Sequence, residues 1–304
     1  MMKKKVFIPI ISVISSFIAL GFFFTNLLMF MRKKEDSFIQ EREIKAGRLN
    51  LDDFHSLPKI QINIPSSYGY NLNCLFVTPH ASSNKWMIFC HGVTENKYNS
   101  IKYMNIFLKR GFNAIIYDHR RHGLSGGKTS SYGFYEKYDL EAVVHELKRR
   151  EGNDVMFGIH GESMGAATAL LYGGSIQDDA AFYIVDCPFS TFYEQVKHRM
   201  KFETSLPSWL VLPIGNLFLK IRDGYHFQDV SPLEAVKNIS KPVLFIHSEH
   251  DDFIPASMSK QLFDAKKDNK QFFLATKGGH AQSLNENPKE YEKAIDTFLD
   301  SFPI

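Results

Sequence analysis

The sequence contains little cysteine, little net charge and no repeated segment. Its three cysteines, Cys74, Cys90 and Cys187, form an odd and scattered set without a Cys-x-x-Cys pair. This arrangement argues against a disulfide framework and against a zinc site. Cys90 and Cys187 stand in apolar runs, so both are expected in the core. The net charge of +3, with no basic stripe interleaved with aromatics, argues against a nucleic-acid partner.

The composition is that of a globular chain. The 304 residues are enough for one large α/β domain or two small ones. Hydrophobic residues make up 44% and charged residues 23%, as in ordinary globular domains. Phenylalanine is abundant, with 27 residues, which suits a large core and an apolar pocket. We find no fixed-period repeat and no low-complexity segment.

A long uncharged stretch stands near the N-terminus. Val6–Met31 follows the basic cluster Lys3–Lys5 and precedes Arg32–Lys34. As a helix rising about 1.5 Å per residue it would reach roughly 39 Å, enough to cross a hydrocarbon core of about 30 Å. A cleaved signal peptide has an apolar region of about 7–15 residues and a small-x-small cleavage site, which this stretch lacks. We therefore expect an uncleaved transmembrane anchor over residues 1–34. A signal peptide and a buried core helix are the alternatives.

The charge count does not decide the orientation of this anchor. Three basic residues precede the span and three follow it, so the positive-inside rule gives a tie. The five-residue tail is short and easily left in the cytoplasm. We therefore expect a single-pass cell-membrane protein whose remaining chain is extracytoplasmic.

The segments after the anchor change in pattern. Residues 35–57 are charged and mixed, which fits a juxtamembrane helix or stalk, or equally a solvated spacer. Ile60–Ile64, and in part Leu72–Val77, then alternate in polarity around the turn cluster Pro65–Gly69. This pattern predicts a β-hairpin at the start of a domain over residues 58–304.

Short apolar runs then alternate with helical patterns to the end of the chain. The predicted strands are 86–90, 114–117, 155–159, 181–185, 243–247 and 271–275. This alternation predicts an α/β fold with a mainly parallel sheet flanked by helices. Such sheets bind ligands beyond the carboxyl ends of their strands.

One helical, aromatic insertion interrupts the alternation between the fourth and fifth of these strands. It covers about residues 188–232, and Pro207 and Pro213 are expected to interrupt its helices. At this position it would hang over the strand ends. We expect a cap lining an apolar substrate pocket; the alternative is surface helices packed on the core.

The segment Gly161-Glu162-Ser163-Met164-Gly165 matches the Gly-x-Ser-x-Gly pattern. A strand that turns sharply into a helix with serine at the apex needs small residues on both sides. The predicted strand before Ser163 and helix after it supply that context. Ser163 is therefore predicted to be a nucleophile and not only a helix N-cap.

A serine hydroxyl needs a base and a group that orients the base. His280 follows the last predicted strand on the flexible loop Gly278-Gly279, and we predict that it is the base. The orienting carboxylate should follow the preceding strand. Spacing alone leaves Glu249, Asp251 and Asp252 in competition there.

The chain order of these groups resembles the α/β-hydrolase family. In this family the acid motif often reads H-G-x-x-D-x-x-V-P, and the chain has His247-Ser-Glu-His-Asp251-Asp-Phe-Ile-Pro255. The resemblance implies Asp251 as the acid. It also implies that His91-Gly92-Val93 is the oxyanion loop, with the backbone N–H groups of Val93 and Met164 holding the oxyanion. The stretch from Asp118 to Ser125 resembles a structural turn of the family, with Arg121 where glycine is common.

More narrowly, with the segment Ser231–Val236 leading into Pro242 and the acid strand, the chain resembles membrane-anchored bacterial hydrolases of the serine aminopeptidase-like or prolyl-oligopeptidase-like groups. The sequence therefore predicts a membrane-tethered serine hydrolase, most simply a carboxylesterase acting on small-molecule or lipid-like acyl substrates. An amidase or peptidase with the same triad is the first alternative, and a non-catalytic surface binding module is the second. No cofactor or metal is expected, and the oligomeric state is not predicted.

Overall fold

A computed structural model describes the backbone of residues 2–302 and the side chains of residues 11–302. The side chains of the predicted basic flank Lys3–Lys5 lie outside the described residues. One eight-stranded sheet forms the centre of the molecule, in the order β1-β2-β4-β3-β5-β6-β7-β8. The strands are β1 Lys59–Pro65, β2 Asn71–Val77, β3 Lys85–Cys90, β4 Asn113–Tyr117, β5 Met156–Glu162, β6 Phe182–Asp186, β7 Val243–Ser248 and β8 Lys270–Ala275.

The predicted fold class is confirmed. β1 and β2 form an antiparallel hairpin, β2 pairs antiparallel with β4, and the remaining strands from β4 to β8 pair in parallel. The central strands are buried on both faces, which is why they appear as continuous apolar runs. In β3, Trp86, Ile88 and Cys90 pack into the core on one face, and Met87 and Phe89 pack into the core on the other. All three cysteines are free and buried.

Twelve α-helices surround the sheet and extend from it within the described residues. They are α1 Met2–Met29, α2 Asp36–Lys45, α3 Leu51–Ser56, α4 Ile101–Leu108, α5 Glu136–Glu151, α6 Met164–Ser175, α7 Phe192–Glu203, α8 Ser208–Asp223, α9 Pro232–Ala235, α10 Ala256–Ala265, α11 Ser283–Glu286 and α12 Pro288–Ser301. In α1, Ile11–Met29 is long and apolar enough to cross a membrane by length and composition. The predicted boundary residues of the anchor, juxtamembrane segment and hydrolase domain stay predictions.

The insertion between β6 and β7 is helical, as its pattern indicates. It contains α7 and α8, and Pro207 immediately precedes α8. Pro213, however, lies inside α8 and does not end it. A third apolar cluster joins this insertion to α1, because Phe24 and Met29 pack there with Phe192 and Leu212.

Candidate active site

Ser163 lies at a sharp turn between β5 and α6. Its backbone has φ 55° and ψ −114°, a conformation that non-glycine residues rarely adopt. The Ser163 N–H donates a hydrogen bond of 2.8 Å to the carbonyl of Asp186 at the end of β6. The adjacent strand therefore helps to hold the strained turn and its side chain in place.

Two glycines make this turn sterically accessible. A Cβ on Gly161 would lie 2.4 Å from the carbonyl oxygen of Gly165. A Cβ on Gly165 would lie 2.0 Å from the carbonyl oxygen of Cys90 in β3. Both distances are far below van der Waals contact, so the strand-to-helix crossing requires glycine on each side of Ser163.

A hydrogen-bond chain joins Ser163 to two residues from other loops. The Ser163 Oγ lies 2.9 Å from Nε2 of His280, and Nδ1 of His280 lies 2.7 Å from Oδ2 of Asp251. Ser163 and Asp251 are both buried. Glu249 and Asp252, the other carboxylates left open by spacing, are exposed to solvent.

The Asp251 carboxylate is fixed from several directions. Its Oδ1 accepts the backbone N–H groups of Phe253 and Ile254 at 2.9 and 2.8 Å, and Nε2 of His247 lies 3.2 Å from Oδ2. Burial alone would raise the pKa of Asp251, but hydrogen bonds from His247 and His280 hold it well below its ordinary value. The group is therefore an ionised acceptor at neutral pH, able to orient His280.

The two residues named for the oxyanion hole lie beside Ser163. Val93, Ser163 and Met164 line the same cavity. Met164 is the first residue of α6, so its N–H has no acceptor within the helix. The role of these two amides stays a prediction.

Two histidines whose role the sequence analysis did not identify hold the loop that carries Val93. His91 Nε2 accepts the backbone N–H of His119 at 2.9 Å, and His122 Nε2 accepts that of Thr94 at 3.1 Å. Burial lowers the pKa of His91, and it lowers the pKa of His122 to about 3. Both rings therefore stay neutral and can accept these hydrogen bonds at physiological pH.

Glu162, next to the nucleophile, binds side chains of the helical segment that follows this loop. Its carboxylate accepts hydrogen bonds from Tyr103 at 2.6 Å and from Asn99 at 3.0 Å, and Lys102 lies 3.5 Å away. A Cβ on Gly92 would approach its Oε1 to 3.0 Å. Glu162 is thus a structural neighbour of the turn, and its carboxylate is occupied by these partners.

The turn from Asp118 to Ser125 also supports this region. The Asp118 carboxylate accepts the Lys97 ammonium at 2.6 Å and the Leu124 N–H at 3.0 Å. Arg121 adopts φ 67°, the left-handed backbone that favours glycine. Its guanidinium donates to the carbonyl of Met31 at 2.8 Å, a contact with the segment just after α1 that a glycine would lack.

An apolar cavity of about 360 Å³ opens onto Ser163. The insertion contributes Phe192, Val196 and Met200 to its wall, and the body of the domain contributes Tyr132 and Ile254. The opposite wall comes from the last turns of α1 and the residues after it. Sequence analysis treated that helix only as an anchor, because no local pattern shows where a distant helix docks.

One group of potential metal ligands overlaps this site. Donor atoms of Cys187, Asp251 and His280 all lie within 4.8 Å of one another. Burial raises the pKa of the Cys187 thiol well above its ordinary value, which disfavours the thiolate that binds metal. A metal ion would also have to break the hydrogen bond between Asp251 and His280, so these residues fit a proton-transfer site better than a metal site.

Comparisons with known proteins support the fold. A family model described as serine aminopeptidase, S33, matches residues 81–220. The uncharacterized protein YqkD of Bacillus subtilis is 48% identical over 299 residues, 98% of each chain. The lysophosphatidylserine lipase ABHD12 of Macaca fascicularis is 25% identical over 195 residues, 60% of this chain and 46% of that protein. The solved esterase Pf2001 of Pyrococcus furiosus has a TM-score of 0.69 at 24% identity, covering 84% of this chain and 94% of the esterase.

Proposed function

Because the chain belongs to the α/β-hydrolase superfamily, we propose that it is a membrane-tethered serine hydrolase that cleaves carboxylic esters. One observation carries the proposal: a hydrogen-bond chain runs from Asp251 through His280 to Ser163 beside an apolar cavity. A hydroxyl in such a chain becomes a nucleophile when the imidazole accepts its proton.

The proposed reaction has two halves. Ser163 Oγ attacks the ester carbonyl while its proton passes to Nε2 of His280, and Asp251 stabilises the resulting imidazolium. The N–H groups of Val93 and Met164 would bind the oxyanion. His280 then gives the proton to the leaving alcohol, and a water molecule, deprotonated by the same ring, releases the acid from the acyl-enzyme.

An ester fits the cavity better than a peptide does. Its wall is predominantly apolar, with Gln195, Arg199, Glu203 and Thr204 among its few polar members. An amidase or peptidase remains the alternative, because the matching family model carries that description. Relative rates on a p-nitrophenyl ester and an aminoacyl p-nitroanilide separate these two activities.

Membrane tethering is part of the proposal. Its support is the length and composition of Ile11–Met29, most of which is not buried by the protein. We place the catalytic domain outside the cytoplasm, as the short N-terminal tail favours. Protease digestion of the domain in intact cells tests this orientation, and protection of the domain would contradict it.

Ser163→Ala in the full chain tests the catalytic proposal. We expect hydrolysis of p-nitrophenyl butyrate to fall about 10⁴-fold or more, because the nucleophile is removed. Ser175→Ala, at the exposed far end of α6, is the matched control and should keep full activity. A fluorophosphonate should label the wild type and Ser175→Ala but not Ser163→Ala. An unlabelled wild type would instead favour the binding module.

A further inference from the structure

The end of α1 is fastened to the catalytic domain by several hydrogen bonds. The carbonyls of Leu28 and Met29 accept hydrogen bonds from the Tyr132 hydroxyl at 3.0 Å and the Ser130 N–H at 3.1 Å. On the other side, Arg222 of α8 donates to the Phe22 carbonyl at 3.2 Å and to Asn26 Oδ1 at 2.7 Å. A helix that served only as a tether would need none of these contacts.

Packing between α1 and α8 is close. The ring of Phe218 lies where a Cβ on Gly21 would be, at 2.3 Å, and the ring of Phe24 lies 2.4 Å from a Cβ on Gly215. A small residue on each helix therefore receives an aromatic ring from the other, a pattern that lets helices approach closely in membranes. The two helices form one unit.

This unit forms part of the cavity that contains Ser163. Leu20, Phe23, Phe24, Leu27, Leu28 and Met31 all line it. Leu27 is nevertheless 52% exposed, so it faces both the cavity and the exterior. Phe23, Leu27, Met31 and Glu203 also line a neighbouring surface hollow, which places the mouth of the cavity between α1 and the end of α7.

The exterior around this mouth is apolar. On α1, Phe17, Phe22 and Phe23 are exposed, as is Phe30 just after it; on and before α8 the exposed set is Leu206, Trp209, Leu210, Leu217 and Ile221. Residues 206–219 carry no charge, and Lys220 and Arg222 follow them. An apolar strip that is continuous with a membrane-spanning helix and ends in basic residues is suited to the membrane interface.

We propose that α8 lies beside the C-terminal half of α1 in the leaflet next to the catalytic domain, and that the acyl chain of a bilayer lipid enters the cavity laterally past Leu27. This inference rests on the proposed esterase function and names the source of its substrate. A cavity of about 360 Å³ lies at the small end of ligand pockets, so it suits one acyl chain. The carbonyl of a single-chain lipid would then reach Ser163 without the chain crossing water.

The test compares two substrates on full-length protein reconstituted in phosphatidylcholine vesicles. One is 1-oleoylglycerol held in the bilayer, and the other is soluble p-nitrophenyl acetate. Leu27→Trp narrows the mouth, so the ratio of the oleoyl rate to the acetyl rate should fall about tenfold or more. Val13→Trp is the matched control, because Val13 is on the same helix, is 69% exposed and is absent from the cavity wall; its ratio should equal that of the wild type.

Several outcomes overturn the inference. An unchanged ratio in Leu27→Trp, or an equal fall in Val13→Trp, would show that the acyl chain does not enter past Leu27. Wild type that cleaves the acetate but not 1-oleoylglycerol would refute the lipid source and leave the esterase function standing. Wild type that cleaves neither ester and resists fluorophosphonate would remove both proposals. The unfolding temperature shows whether Leu27→Trp is folded. Leu27→Ala widens the mouth, so its ratio should not fall below that of the wild type, and a fall would contradict entry past Leu27.

A second measurement does not depend on turnover. The chain has two tryptophans, Trp86, which is 1% exposed, and Trp209, which is 75% exposed. In Trp86→Phe, brominated acyl chains should quench Trp209 fluorescence by half or more if α8 lies in the leaflet. In Trp209→Phe, the buried Trp86 should be quenched much less. Equal quenching, or none in either variant, would contradict the placement of α8.

Discussion

Asp251→Asn tests how the structure orients its base. The amides of Phe253 and Ile254 hold Oδ1 of Asp251 and need an acceptor there. In the variant they should keep the carbonyl oxygen, which turns the NH₂ group toward Nδ1 of His280. Because NH₂ is a donor, Nδ1 must become the acceptor, and the ring proton moves to Nε2. His280 then points an N–H at Ser163 and cannot take its proton.

The size of this effect follows from that wrong tautomer. The same exchange in a Ser–His–Asp protease lowers kcat by about 10⁴, which corresponds to about 5.4 kcal/mol of activation free energy at about 1.36 kcal/mol per factor of ten. We expect a loss of similar size here. The fold should survive, because the two backbone N–H groups keep their acceptor.

The assay is kcat for p-nitrophenyl butyrate on the full chain at pH 8, with the unfolding temperature measured alongside. Asp252→Asn and Glu249→Gln are matched controls, since both carboxylates are exposed on the same loop, and each should stay within twofold of wild type. More than about a tenth of wild-type activity in Asp251→Asn would refute the reasoning. A large loss of activity in either control would show that Asp251 is the wrong assignment for the acid.

Two further changes probe the frame of the site. Gly165→Ala puts a Cβ 2.0 Å from the Cys90 carbonyl; we expect a loss of several kcal/mol in the free energy of unfolding, measured by urea titration, and a variant as stable as wild type would contradict the steric argument. Burial raises the pKa of Asp186 to about 7, so the folded state favours the neutral acid and wild type loses stability as pH rises from about 4 to about 7. Asp186→Asn lacks this loss, so the difference in unfolding temperature, variant minus wild type, should be larger in favour of the variant at pH 8.5 than at pH 5. A pH-independent difference would refute the raised pKa of Asp186.

The local patterns in the sequence were sufficient for the sheet and for the positions of Ser163 and His280. A strand, a glycine-flanked serine and a helix are neighbours in the chain, so their geometry is a local property. Selecting Asp251 from its loop needed the family resemblance. In the structure two backbone amides and His247 converge on Asp251, while Asp252 turns to solvent, a difference that spacing along the chain does not show.

The packing of α1 against the rest of the domain could not be predicted from the sequence. Nothing near Leu27 in the chain indicates that it lines the same cavity as Ser163, because the contact depends on how α1 meets α8. The same holds for His122, whose ring accepts a hydrogen bond from the N–H of Thr94, 28 residues earlier in the chain. Arg121 illustrates a third limit: it adopts a glycine-like backbone and uses its long side chain to bind the carbonyl of Met31, just after α1.

The docked end of α1 changes the meaning of a truncated protein. Removing residues 1–34 is the usual route to a water-soluble sample of a single-pass protein. Here it would delete one side of the cavity beside Ser163 and uncover buried rings such as Phe192 and Phe227, which pack near Phe24. Such a sample would present an open trough prone to self-association, and any ligand preference measured on it would describe the trough and not the full-length protein.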